Sequence, residues 1–184
     1  MAAFNDHYYI ERVRAGDINA FSYIMSHYQR MVLTIVIRIV NNKEDAEDIT
    51  QEIFVKVFKS LDSFKGQSEF STWLYRIAYN TTLSEIRRKQ ISFTSFEDNP
   101  ALLKDEEIGE EIDDLDTEEK IRYLEEALNC LHPEEKLIIS LFYLNDQGIE
   151  EISKITNLSK ANVKVRLHRI RKKLNSEINQ LMAK

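Results

Sequence analysis

Hydrophobic residues return every third or fourth position along most of this chain, the spacing that gives a helix one apolar face. Phe21, Ile24, Met25, Tyr28, Met31, Val32, Ile35 and Ile39 form one such stripe, enough for about five turns. Asn41-Asn42 interrupts it, and Asn42 is placed to cap a second helix striped by Ala46, Ile49, Ile53, Val57 and Leu61. The two stripes are expected to pack on each other. A loop from Asp62 to Phe70, holding Gly66, separates this pair from a third helix, which Ser71 or Thr72 would cap and which turns Trp73, Leu74, Ile77 and Ala78 inward. This first unit is read as ending near Lys89.

The period lapses between residues 91 and 116, where Pro100, Gly109 and the acids from Asp105 to Asp116 predict a linker, extended or disordered on its own. Asp116 and Glu119 then fit a capping box for a helix striped by Ile121, Leu124, Leu128 and Leu131. Pro133 suits the first turn of the next helix, whose stripe is Leu137, Ile138 and Leu141 and which ends over Asn145 to Gly148. Two shorter helices follow, Ile149 to Thr156 and Lys160 to Leu174, joined by Asn157-Leu158-Ser159. With only 4 Gly and 2 Pro to make hairpin turns, the fold class is all-α. The expected organisation is a helical domain over 1–90, an acidic linker over 91–116 and a second helical domain over 117–184.

The net charge of −6 argues against a nucleic-acid binder only until it is divided along the chain. Residues 1–90 carry 12 Lys/Arg against 11 Asp/Glu, residues 91–120 carry 2 against 12, and residues 121–184 carry 11 against 8. Between Ile152 and Ser176 there are eight basic residues and no acid, the local footprint that DNA requires. No run of about 18 apolar residues occurs, and the N-terminus carries Asp6, Glu11 and Arg12 where a signal peptide needs apolar residues, so a cytoplasmic protein without membrane insertion is expected. Cys130 has no second cysteine to pair with and is read as a small buried hydrophobe. His7, His27, His132 and His168 are widely spaced, Cys130 with His132 makes too few ligands for zinc, and no phosphate-binding Gly loop occurs. Neither an enzyme nor a metal or cofactor site is expected.

The last two helices read as a DNA-binding helix-turn-helix. A tight bend between two helices needs one residue of positive φ, and Asn157 is the best non-glycine choice. Leu158 then plugs between the helices, Ser159 caps the second, and Val163, Leu167, Ile170 and Leu174 fall on its inward face. At about 100° per residue the opposite face gathers Ala161, Val165, His168, Arg169 and Lys172. Lys160, Lys164 and Arg171 lie along one flank, and Arg166 and Lys173 along the other, matching two phosphate rims. Val165, His168 and Arg169 are assigned to base edges, and Lys164, Arg166 and Arg171 mainly to phosphates. In the first domain, Asp45, Asp48 and Glu52 share a helix face away from the apolar stripe: either a docking surface for a protein or acids stabilising the helix N-terminus.

Glu11-Arg12-Val13 with Gly16-Asp17 and Ala20-Phe21, Asp45-Ala46-Glu47-Asp48 with Gln51-Glu52, Leu61 to Gly66, Thr72-Trp73-Leu74-Tyr75-Arg76-Ile77-Ala78-Tyr79-Asn80, and Glu150-Glu151-Ile152 with Val163 to Leu174 form a set of segments along the chain. Together they resemble the sigma-70 family, in its extracytoplasmic-function group. Asn157 stands at that family's usual Gly and Val165 at a common Ser. The resemblance implies a sigma factor of bacterial RNA polymerase, a noncatalytic subunit of two domains. Asp45, Asp48, Gln51 and Glu52 would dock on the β′ clamp helices of core polymerase, with the β subunit as a further contact. Phe64, Lys65, Gly66, Gln67 and Ser68, with Arg76 and Asn80, would capture a flipped base of the promoter −10 element, an unpaired base offering its whole edge and face to a polar pocket. Tyr75 and Tyr79 lie off the Trp73 stripe and fit either that pocket or plain surface packing. Lys160, Lys164, Val165, Arg166, His168, Arg169, Arg171 and Lys172 would read the −35 element as duplex, and the linker would thread toward the RNA exit channel. An anti-sigma factor is an implied partner. The acidic linker is also expected to shield the basic surfaces of the free protein through Glu106, Glu107, Glu110 and Glu111. The competing reading is a helix-turn-helix regulator that binds duplex DNA as a dimer, without polymerase.

Overall fold

A computed structural model describes residues 4–40, 42–90 and 117–183. The linker, its proposed shielding acids, Asn41 and the Asp116 cap lie outside the described residues. Eight α-helices are present among those described: α1 (Asp6–Arg14), α2 (Ala20–Val40), α3 (Lys43–Ser60), α4 (Phe70–Gln90), α5 (Thr117–Asn129), α6 (Pro133–Tyr143), α7 (Ile149–Thr156) and α8 (Lys160–Met182). A single 3₁₀ turn, Leu61–Ser63, follows α3, and no strand occurs among the described residues.

The helix starts follow from their caps. Asn42 accepts from the backbone N–H of Asp45 at 2.9 Å and begins α3. His132 begins α6 with a full capping box: its Nδ1 accepts from the Glu134 N–H, and the Glu135 carboxylate accepts from the His132 N–H at 2.9 Å. Two starts differ from the sequence reading. α4 begins at Phe70, with the Trp73 N–H already bonded to the Glu69 carbonyl, so Ser71 and Thr72 lie inside its first turn. Phe70 causes this, since its buried ring packs against Tyr28, Phe64 and Trp73 and draws the chain into the helix early. The short helix α1 had no legible stripe, because it sends only Ile10 into full burial.

Two cores hold the molecule. The first lies within the N-terminal half, where α2, α3 and α4 bury Ile24, Val32, Ile53, Val57, Trp73 and Leu74. The second is shared. Ile35 and Ile39 of α2 and Tyr75, Tyr79 and Leu83 of α4 pack with Leu137, Ile138 and Leu141 of α6, Ile152 and Ile155 of α7, and Val163, Leu167 and Ile170 of α8. Each such side chain contributes about 1.5–3 kcal/mol relative to exposure. Tyr75 and Tyr79 are thus buried between the halves, where burial pushes the Tyr75 hydroxyl up to about 12 despite its bond to Asn145.

Two further expectations are corrected. Ile121 and Leu124 stay 52% and 44% exposed, because α5 lies along α8 at the side of a core that α2 and α4 help to fill; Ala127 and Leu131 of that region turn inward. Cys130 is exposed, its thiol directed at the Glu126 carbonyl at 3.6 Å.

Candidate nucleic-acid interface

The bend between α7 and α8 has the predicted chemistry. Asn157 adopts φ 60° and ψ 24°, the left-handed conformation that Asn tolerates best among residues with a Cβ. The Ser153 hydroxyl donates to the Leu158 carbonyl at 2.6 Å, tying the bend to α7, and Ser159 accepts from the Asn162 N–H at 3.2 Å to cap α8. Val163, Leu167 and Ile170 then lie buried, which fixes the rotation of α8 and leaves Val165, His168 and Arg169 exposed on its far side. Lys160, Lys164 and Arg171 are exposed along one flank, while Lys172 is half-buried. The first turn of α8 carries no acid of its own, so the helix adds no negative charge at its positive end.

The two flanks are not alike. On one, the Arg166 guanidinium bonds the Glu134 carboxylate at 3.1 Å and Lys173 bonds Glu135 at 3.0 Å, so α6 presents two acids to the basic helix. Arg87 of α4 reaches the same Glu134 at 2.9 Å. Burial raises the Glu134 pKa, but the hydrogen bonds and charges of Arg166 and Arg87 outweigh it and hold the carboxyl below its ordinary value. On the other flank Lys160 pairs with Glu150 at 3.0 Å, and the Glu150 pKa is lowered by that bond and by the charges of Lys160 and Lys154. Arg171 has a different partner: its Nε donates to the Tyr143 hydroxyl at 2.8 Å. Glu134, Glu135 and Tyr143 carried no signal in the sequence, since each acts through a contact 28 to 38 residues away.

The loop after α3 is built on aromatic rings. Phe64 is half-buried against Phe70 and Trp73, with ring centroids 5.4 Å from each, which leaves Lys65, Gly66 and Gln67 exposed and Ser68 half-buried. Gly66 has φ +67°, which lets the loop reverse without strain. Arg14 of α1, which the sequence pattern did not single out, donates to the carbonyls of Leu61 and Phe64 and pins the loop base. Arg76 and Asn80 are exposed one turn apart on α4. On α3, Asp48 and Gln51 are exposed, Asp45 is half-buried, and half-buried Glu52 pairs with Lys56 at 2.7 Å. That face is acidic and accessible. No group of three His, Cys, Asp or Glu among the described residues could hold a metal, and no described helix is long and apolar enough to cross a membrane.

Known proteins with this organisation are consistent across the chain. The family description Sigma-70 region 2 matches residues 24–91, and Sigma-70, region 4 matches residues 121–174. The chain is 32% identical over 184 residues to the ECF RNA polymerase sigma-E factor of Haemophilus influenzae, covering 94% of this chain and 95% of that one. It is 31% identical over 187 residues to the ECF RNA polymerase sigma factor SigW of Bacillus subtilis, with 94% and 96% covered. Among solved structures, CnrH in complex with the cytosolic domain of CnrY aligns at TM-score 0.67 and 19% identity, over 95% of this chain and 97% of that one. The sigma factor RpoE in complex with the anti-sigma factor NepR from Bartonella quintana aligns at TM-score 0.64 and 20% identity, over 88% and 98%. These two likenesses are of fold.

Proposed function

The chain belongs to the sigma-70 family, in its extracytoplasmic-function group, and from that premise we propose how this sigma factor for RNA polymerase divides its work. The acidic face of α3, with Asp45, Asp48, Gln51 and Glu52, docks on the basic clamp helices of core polymerase. The loop from Phe64 to Ser68 takes a melted base of the −10 element, with Arg76 and Asn80 alongside. α8 enters the major groove of the −35 element, with Val165, His168 and Arg169 toward base edges and Lys160, Lys164, Arg166, Arg171 and Lys172 at the phosphates. Val165 reads a thymine methyl, and Arg169 is shaped for a guanine. RNA synthesis itself remains with the polymerase, so the place of action is the cytoplasm. An anti-sigma factor is a further proposed partner.

The observation that carries this reading is the division of α8: one stripe is buried to fix its rotation, and the face opposite is basic, accessible and free of acids over its first turn. The test is transcription by bacterial core polymerase from a random promoter library. Specific transcripts are expected only when this protein is added, enriched for one −35 and one −10 sequence. Arg169→Ala should then cost about 1–3 kcal/mol in promoter binding and relax one position of the −35 preference. Equal weakening on every sequence would remove Arg169 from base reading.

A further inference from the structure

Arg171 of α8 is held by aromatic partners. Its Nε donates to the Tyr143 hydroxyl at 2.8 Å, and its guanidinium carbon stands 5.4 Å from the Phe142 ring centre and 5.6 Å from that of Tyr143. Tyr143 closes α6 and is 55% exposed, so this pair sits at the surface and not in a core. A guanidinium has five N–H donors in a fixed fork. With Nε bonded to the phenol, the end bearing the two NH₂ groups is left in the geometry that takes two oxygens of one phosphate. The phenol accepts from Nε and so holds the guanidinium without occupying its two NH₂ groups. On the helix wheel Arg171 lies within about 40° of Lys160 and Lys164, the flank that does not face the acids Glu134 and Glu135.

We infer that Tyr143 and Arg171 form a preset clamp for one backbone phosphate of duplex DNA, with Tyr143 as the positioning residue. The clamp rests on the proposed entry of α8 into the groove. Its chemical advantage is order: an arginine on a flexible stem loses rotamer freedom when it grips a phosphate, whereas here two rings and one hydrogen bond have already fixed it. Carboxylates at that position would have held the arginine equally well but would have competed with the phosphate. A phenol does not.

The test uses the full chain assembled with core polymerase, on a duplex bearing the −35 sequence recovered from the library, over a salt series. Arg171→Ala should make the log-affinity slope shallower by about 0.9, the loss of one phosphate contact. Tyr143→Phe, which keeps the ring and removes the oxygen, should weaken binding about two- to five-fold, the loss expected for one hydrogen bond. The double variant should bind no worse than Arg171→Ala alone, because Tyr143 acts through the arginine. In the free protein the Arg171 Nε–H should exchange slowly with water and lose that protection in Tyr143→Phe. Wild-type binding by Tyr143→Phe, or additive losses in the double variant, overturns the clamp while leaving the DNA-facing role of α8 intact. An Arg171→Ala protein with unchanged affinity and slope overturns the clamp; if Lys164→Ala and Arg169→Ala also bind as wild type, the reading of α8 falls with it.

Discussion

The two cores of this protein are built differently. The first is self-contained: its buried residues run from Ile10 to Ala78, and its centre is a chain of rings from Tyr28 through Phe70 to Phe64 and Trp73. The second takes five of its buried side chains from the other half of the molecule. A unit as small as the C-terminal half buries too small a fraction of its surface to be secure alone, and α2 and α4 supply the missing apolar area. The long helix α2 serves both cores at once, with Ile24, Tyr28, Val32 and Val36 toward one and Ile35 and Ile39 toward the other. The surfaces of both halves proposed to read the promoter are therefore held at a set relation by burial, and not only by the chain between them.

This contrast is sharpest in unfolding. Leu137→Ala empties a fully buried position of the shared core and should cost about 2–5 kcal/mol. Trp73 belongs to the first core, so its fluorescence reports on a part of the molecule that Leu137 does not touch. In urea, the circular dichroism transition of the variant should move to lower denaturant and separate from the Trp73 transition. A common shift of both curves would merge the two cores into a single cooperative unit.

A smaller effect is expected at the polar edge of the shared core, where Glu134 joins Arg87 of one half to Arg166 of the other. Glu134→Gln should cost about 1–2 kcal/mol, the scale of a partly screened charge-assisted bond. The folded carboxyl titrates below its ordinary value of 4.5. Its charge therefore contributes stability that is fully present above about pH 4.5 and is lost as the pH falls through the lowered folded value. The difference between wild type and variant should vanish at that acid end. A gap that persists unchanged at pH 3 would show that shape, and not charge, is what the substitution removed.

Much of this architecture was legible in the sequence because it is local. The stripes of α2 and α3, the caps at Asn42 and Ser159 and the bend at Asn157 each depend on residues within one or two turns. What stayed hidden depends on distant packing: the burial of Tyr75 and Tyr79, the acids of α6 facing α8, and Arg14 at the loop base all join residues tens of positions apart. Asn157 gives a local prediction of intermediate size. Asn157→Ala should cost about 1 kcal/mol, from a Cβ residue without a compensating side-chain amide at positive φ, whereas Asn157→Gly should be nearly neutral. Equal losses for both variants in thermal unfolding would mean that the side chain matters for contacts and not for backbone conformation.

The smallest effect concerns α5, where pattern and packing disagree. Read from its period, Ile121 belongs to a core stripe with Leu124, Leu128 and Leu131, and replacing it with a polar residue should then cost several kcal/mol. In the folded chain more than half of its surface remains in water, because the apolar area that α5 could have covered is already met by α2 and α4. Ile121→Ser should therefore change stability by less than about 0.5 kcal/mol, while Leu131→Ser, at a buried position of the same stripe, should cost several times more. The pair measures directly how far the borrowing from the first half has displaced α5. A loss at Ile121 comparable to that at Leu131 would restore the stripe and make the second core the property of its own half.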